Sequence, residues 1–280
     1  MHMKKVLFSL ALAALCLSAN AQTKNVNIQG SQGKLAAVLE TPALKAGGKC
    51  PLVIICHGLT GNKDEQFLKN ISSKLLEKGI ASIRFDFNGH GESDGTLENM
   101  TVPNELEDAQ AVYNYVRALP YVGDIAICGH SQGGVVASMT AGRIAQGIKA
   151  VALLAPAAVL REDAIRGTLM GKTYDPLNVP QTLEIFGGKK VGHDYLYTSA
   201  RLPIFSTAKQ FQGPACMVHG TGDTVVPYTY SLRYQEIWPN SEVHLLDALD
   251  HVFSTDQETP AAIVAEFFAK HLNGDDISKL

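Results

Sequence analysis

The sequence predicts an α/β domain in which a mostly parallel sheet is covered on both faces by helices. Three observations lead there. From residue 51 onward, short continuous apolar runs alternate with stretches of helical periodicity, the pattern of strands buried on both faces. The chain of 280 residues is 46% hydrophobic and 18% charged, enough to bury one large core without staples. The alternation breaks only once, between Ala155 and Pro214, where about 60 residues stand in place of the dozen or so that a crossover needs.

The N-terminus reads as separate from this domain. Lys4 and Lys5 precede an apolar run from Val6 to Leu17, and Ala19-Asn20-Ala21 offers small residues before Gln22. That is the layout of a secretory signal peptide over residues 1–21, and the run is short for a membrane span. The expected mature domain is 22–280, periplasmic or secreted.

Asn25 to Ile28 and Lys34 to Glu40, split by Gly30-Ser31-Gln32-Gly33, read as a β-hairpin. Pro51 to Cys56 is a buried strand. Glu65 to Glu77 carries Phe67, Leu68, Ile71 and Leu75 at helical spacing and stops at Gly79. Ile80 to Phe85 is the next strand. A helix from about Pro103 to Leu119 presents Leu106, Ala109, Val112 and Val116 on one face, with proline in its first turn. Ile125 to Cys128 and Lys149 to Leu154 are strands flanking a helix from Gln132 to Ala145. After the long break come a strand at Ala215 to His219, a helix at Tyr228 to Trp238, a strand at Glu242 to Leu246 and a closing helix at Ala261 to Leu272.

A net charge of −3 provides no basic field for nucleic acid or an anionic membrane. Past the signal segment, Cys50, Cys56, Cys128 and Cys216 remain, without C-x-x-C or Cys/His ligand spacing, so no metal is expected. Export permits a disulfide, and Cys56 with Cys128 is the pair that neighbouring strands would allow.

Gly129-His130-Ser131-Gln132-Gly133 fits G-x-S-x-G, and here it follows a strand and opens a helix, the context this motif requires. The glycines leave room for a serine on a sharp, strained turn, and the helix N-terminus aims unpaired N–H groups at charge developing nearby. A serine hydroxyl needs a base oriented by a third group. Among His193, His219, His244, His251 and His271, His251 sits on a loop after the last strand; His219, at a strand end before Gly220, reads as shaping a turn. Asp223, on the glycine-rich loop after Val218, is the orienting acid, with adjacent Asp250 as a rival. The oxyanion needs two backbone donors: Gln132, after the nucleophile, and Leu59, in the loop His57-Gly58-Leu59-Thr60-Gly61-Asn62.

His57-Gly58, Asp86-Phe87-Asn88-Gly89-His90-Gly91-Glu92-Ser93, Gly129 to Gly134, Gly220-Thr221-Gly222-Asp223 and Asp250-His251 together resemble the landmarks of the α/β-hydrolase superfamily over essentially the whole mature chain. More narrowly the chain is similar to bacterial cinnamoyl (feruloyl) esterases. The resemblance implies an α/β-hydrolase fold with an inserted lid at about 157–206, in which Tyr195 and Asp163 bind the ring hydroxyl of the acyl group. A lid glutamine of some members is Met170 here.

The expected activity is a secreted serine esterase acting through Ser131, His251 and Asp223 with no cofactor. Its substrate would be a small-molecule ester, with a plant-polysaccharide-linked hydroxycinnamate as one candidate. Alternatives on the same fold are a short-chain carboxylesterase, a peptidase or acyltransferase, and a non-catalytic binding protein. A homodimer is one option for its assembly.

Overall fold

The computed structural model describes residues 21–272; the expected signal segment, 1–21, lies outside them except for Ala21. The chain opens on β1 (Gln22–Gly30) and β2 (Gly33–Thr41), an antiparallel hairpin turning at Ser31 and Gln32. There follow β3 (Cys50–Cys56), α1 (Gln66–Glu77), β4 (Ala81–Phe85), α2 (Val102–Arg117), β5 (Val122–His130), α3 (Gln132–Ile144) and β6 (Val151–Leu154). The inserted segment contains α4 (Val159–Arg166), a ribbon of β7 (Thr168–Leu169) and β8 (Lys172–Thr173), a second ribbon of β9 (Thr182–Glu184) and β10 (Lys190–Gly192), then α5 (His193–Ser199) and α6 (Ile204–Ala208). The chain closes through β11 (Ala215–Gly220), α7 (Thr229–Ile237), β12 (Glu242–Leu246) and α8 (Glu258–Leu272).

Eight strands form one sheet in the order β1-β2-β4-β3-β5-β6-β11-β12. The hairpin joins it antiparallel, and every pairing from β4 to β12 is parallel. Leu52 to Cys56 are fully buried, because alternate side chains on β3 enter two different apolar layers. Leu52 and Ile54 pack with Leu106, Val112 and Val135 of α2 and α3. Val53 and Ile55 pack with Ile71, Val264 and Phe268 of α1 and α8. Thr101 caps α2 by accepting from Asn104 N–H at 3.2 Å, a contact whose loss typically costs about 1 kcal/mol.

The pairing of Cys56 with Cys128 does not form. All four described cysteines are free thiols, although β3 and β5 are neighbours. Cys128 lies opposite Ile55 and Cys56 opposite Gly129, and this one-residue offset sends the two thiols to opposite faces of the sheet. The inserted segment returns tightly to the body: a Cβ at Gly142 of α3 would meet the Thr207 carbonyl oxygen at 1.9 Å, so α6 docks directly on α3.

Candidate active site

Ser131 occupies the turn between β5 and α3 with φ 55° and ψ −124°. A non-glycine residue in that region carries strain of order 1–3 kcal/mol and needs surroundings that over-determine it. They are present. Ser131 N–H donates to Leu154 O at 2.9 Å, and its carbonyl accepts from Gly134 N–H at 2.9 Å and Ala157 N–H at 3.0 Å. The glycines have a steric reason. A Cβ on Gly129 would lie 2.1 Å from Gly133 O, and one on Gly133 would lie 2.3 Å from His57 O.

The loop after β12 brings His251 to this turn. Its Nε2 stands 2.8 Å from Ser131 Oγ and its Nδ1 2.7 Å from Asp223 Oδ2. Asp223 Oδ1 accepts from Val225 and Val226 N–H, each at 2.8 Å. Burial disfavours the Asp223 charge, yet the His219 and His251 rings and the Val226 N–H outweigh it and hold the carboxyl well below the usual carboxylate range. Asp250, the rival acid, spends both oxygens on Ser254. Of the other histidines, His193 pairs with its neighbour Asp194, His244 faces Glu242 on the outermost strand, and His271 packs on Phe267 of α8.

His219 does more than shape a turn. It is fully buried, and its Nε2 faces Asp223 Oδ2 at 3.1 Å and Val226 O at 3.0 Å. Two acceptors at one nitrogen place the proton on Nε2, so Nδ1 accepts from Ser231 Oγ at 2.8 Å. His130, the first x of the motif, steadies the loop that carries His251, since its Nε2 donates to His251 O at 2.8 Å. Burial lowers its pKa to about 4 and keeps the ring neutral.

The loop after β3 abuts the serine. A Cβ on Gly58 would lie 3.0 Å from Ser131 Cβ and 3.5 Å from its Oγ, and Leu59 is the next residue. Gly61 N–H closes the turn onto Gly58 O at 3.0 Å. His57 Nδ1 donates to Gly58 O at 2.8 Å, and its Nε2 accepts from Phe87 N–H at 3.1 Å. His90 Nε2 accepts from Thr60 N–H at 3.2 Å, and Lys189 of the inserted segment reaches Thr60 O at 3.1 Å. Gln132, on the other side, is the first residue of α3, whose N–H has no acceptor inside the helix.

Above these groups lies a cavity of about 460 Å³ lined by Leu59, Ser131, Gln132, His251, Leu160 and Leu169, with Asp163, Met170 and Tyr195 also on its wall. Such a volume suits a small ligand. Asp163 is half-buried on α4, where burial raises its carboxyl against the pull of Arg166. Tyr195 is buried, and its hydroxyl donates to Gln132 Oε1 at 2.7 Å. Gln132 Nε2 in turn donates to Glu105 Oε2 at 2.9 Å. Glu105, which sequence reasoning missed, sits four residues before Ala109 on the apolar face of α2; an acid within that stripe was the available signal.

Away from the cavity, Cys216, Glu242 and His244 bring three donor atoms within 4.8 Å of one another, with Lys270 already paired to Glu242 at 2.6 Å. They share no residue with the cavity wall.

A nucleophile turn after a central parallel strand, with histidine and acid on loops of later strands, defines the α/β-hydrolase class. The alpha/beta hydrolase fold family matches residues 51–202, and the chain belongs to that superfamily. It is similar to Est1E of Butyrivibrio proteoclasticus with ferulic acid bound, at 33% identity and a TM-score of 0.84, covering 88% of this chain and 98% of that one. Esterase EstD of Thermotoga maritima is 26% identical over 264 residues, 82% of this chain and 60% of EstD. An uncharacterized 31.7 kDa protein of Escherichia coli is 34% identical over 88 residues, 31% of this chain and 30% of that protein. The chain therefore spans less than two thirds of either of these two curated relatives.

Proposed function

We propose that the protein is an exported serine esterase that cleaves carboxylic esters of compact aromatic acids, hydroxycinnamates of the feruloyl type foremost. The observation that carries this reading is the unbroken series Ser131 Oγ, His251, Asp223, at 2.8 and 2.7 Å, which meets the wall of a largely apolar cavity at Ser131 and His251. The ferulic acid held by Est1E supports the acyl class, and the charged and apolar segments of residues 4–17 support export.

In the reaction, His251 Nε2 takes the Ser131 proton as Oγ adds to the ester carbonyl. Asp223 holds the ring through Nδ1 and stabilises the imidazolium. The N–H groups of Leu59 and Gln132 bind the oxyanion. His251 then protonates the leaving alcohol, and an acyl-serine remains. Water, deprotonated by the same nitrogen, releases the acid and returns the proton to Ser131. No step calls on a cofactor.

A short-chain carboxylesterase without aromatic preference is the second reading. The exposed Met170 and the Tyr195 proton, already given to Gln132, favour it, since neither can donate to a ring hydroxyl. Methyl ferulate, p-nitrophenyl butyrate, a long-chain p-nitrophenyl ester and a peptide amide separate the two. Cleavage of methyl ferulate is expected; cleavage of the butyrate alone removes the aromatic claim. Ser131→Ala is expected to lower turnover on the order of 10⁴–10⁶-fold, and full activity in that variant would take Ser131 out of the mechanism.

A further inference from the structure

Gln132 is gripped from both ends. Its amide nitrogen donates to Glu105 of α2 and its amide oxygen accepts from Tyr195 of α5, at 2.9 and 2.7 Å. The three side chains are 1–2% exposed, so water does not compete for these bonds. In this arrangement the Tyr195 hydroxyl donates, a Glu105 oxygen accepts, and both ends of the amide are paired.

Glu105 is an unexpected choice for that place. Among the described residues it makes no ion pair. Asp108, one turn further along α2, is occupied by Ser31 and Asn88 N–H. Burial drives the Glu105 carboxyl well above the usual range, with the Gln132 amide pulling the other way. An apolar side chain would fill this site without the cost of burying a carboxyl group. What an apolar residue would lack is an acceptor for Gln132 Nε2.

That acceptor matters because of where Gln132 stands. It is the first residue of α3 and follows a serine in strained backbone. The side-chain bonds therefore hold a peptide that the helix anchors weakly at its end. A donor displaced by a fraction of an ångström loses much of its effect on a developing charge. We propose that Glu105 is a positioning residue of the oxyanion hole, acting through the side chain of Gln132, and that the same strut fastens α5 to the nucleophile turn. The proposal rests on the esterase reading of Ser131.

The test compares a phenyl ester with its thionoester, whose developing charge sits on sulfur and is gripped less by N–H donors. Glu105→Leu is expected to lower kcat on the ester about tenfold or more, with KM within about twofold, and to lower the thionoester rate much less. Glu105→Gln keeps an acceptor and is expected to restore the ester rate to within about threefold. Equal losses on ester and thionoester, or no rescue by Glu105→Gln in a folded protein, overturn the proposal. If Glu105→Leu does not fold, Tyr195→Phe removes the other bond of Gln132 and must move the ester-to-thionoester ratio in the same direction; an unmoved ratio counts against the strut. If the wild-type protein cleaves neither substrate, the esterase reading fails by itself. The strut is then read from limited proteolysis between residues 167 and 192, where faster cutting in Glu105→Leu than in Glu105→Gln supports it and equal cutting rejects it.

Discussion

His219 donates to Asp223 through the same carboxylate oxygen, Oδ2, that faces His251, at 3.1 Å against 2.7 Å. One oxygen thus serves two rings, and the buried one, on β11, fixes where the acid points before His251 arrives. A donor to a charged group is worth about 1.5–3 kcal/mol when removed. His219→Phe is therefore expected to lower kcat roughly tenfold or more with little change in KM, measured on p-nitrophenyl butyrate. An unchanged kcat would leave His219 as packing.

Gly133 faces two backbone oxygens, His57 O at 2.3 Å and Cys56 O at 2.5 Å from an added Cβ. Neither can rotate aside. Gly134 has its nearest neighbours at 3.1 Å, which a small adjustment accommodates. Gly133→Ala is expected to destabilise by about 3 kcal/mol or more and to abolish activity, with Gly134→Ala much milder. Denaturant midpoints of the two variants check the contrast, and equal midpoints would refute it.

Three buried histidines make the protein sensitive to acid. Burial lowers His57 to about 4, His90 to about 3 and His130 to about 4, against about 6.5 for an exposed ring. Between those values the unfolded chain binds protons that the folded chain refuses, so stability rises with pH across the window. The contribution is complete above about pH 6.5 and is lost as the pH falls toward 4. At about 1.4 kcal/mol per unit, the step from 6.5 to 5 removes about 2 kcal/mol per histidine, less where His57 and His90 interact. Asp223, held low, keeps its contribution through this window and loses it only at lower pH. Glu105, whose carboxyl burial raises, works in the opposite direction across this window. The comparison is therefore made in Glu105→Gln, where urea midpoints are expected to drop between pH 7 and 5 and a flat profile contradicts the burial argument.

The Tyr195 proton is committed to Gln132, so toward the cavity its oxygen can only accept. A 4-hydroxycinnamate can donate to it and a 4-methoxycinnamate cannot. Tyr195→Phe is expected to raise KM several-fold for methyl ferulate and leave KM for methyl 3,4-dimethoxycinnamate unchanged. Equal KM changes for both esters would remove the contact between Tyr195 and the ring hydroxyl.

The strand-end loops that carry Ser131, Asp223 and His251 were legible because each follows an apolar run and carries its own glycine or turn pattern. That Asp223 rather than Asp250 meets the His251 ring was legible too, since a side chain adjacent in sequence to His251 rarely turns back on its ring. What stayed hidden depends on register and rotamer. Cys56 and Cys128 sit on neighbouring strands, but only the pairing of Cys128 with Ile55 reveals that they face apart. His219 looked like turn chemistry because its partner, Ser231, lies a helix away. Glu105 was masked by the apolar stripe that contains it.

Gln132 has one further consequence, for how mutations at the site are read. Its backbone N–H survives every side-chain replacement except proline, while its amide holds Glu105 and Tyr195. Gln132→Ala would therefore report the loss of the strut and leave the N–H proposed to hold the oxyanion chemically intact. An ester linkage in place of the peptide bond between Ser131 and Gln132 deletes that N–H and leaves the side chain in place. Comparing the two replacements would divide the residue's contribution between its backbone and its side chain.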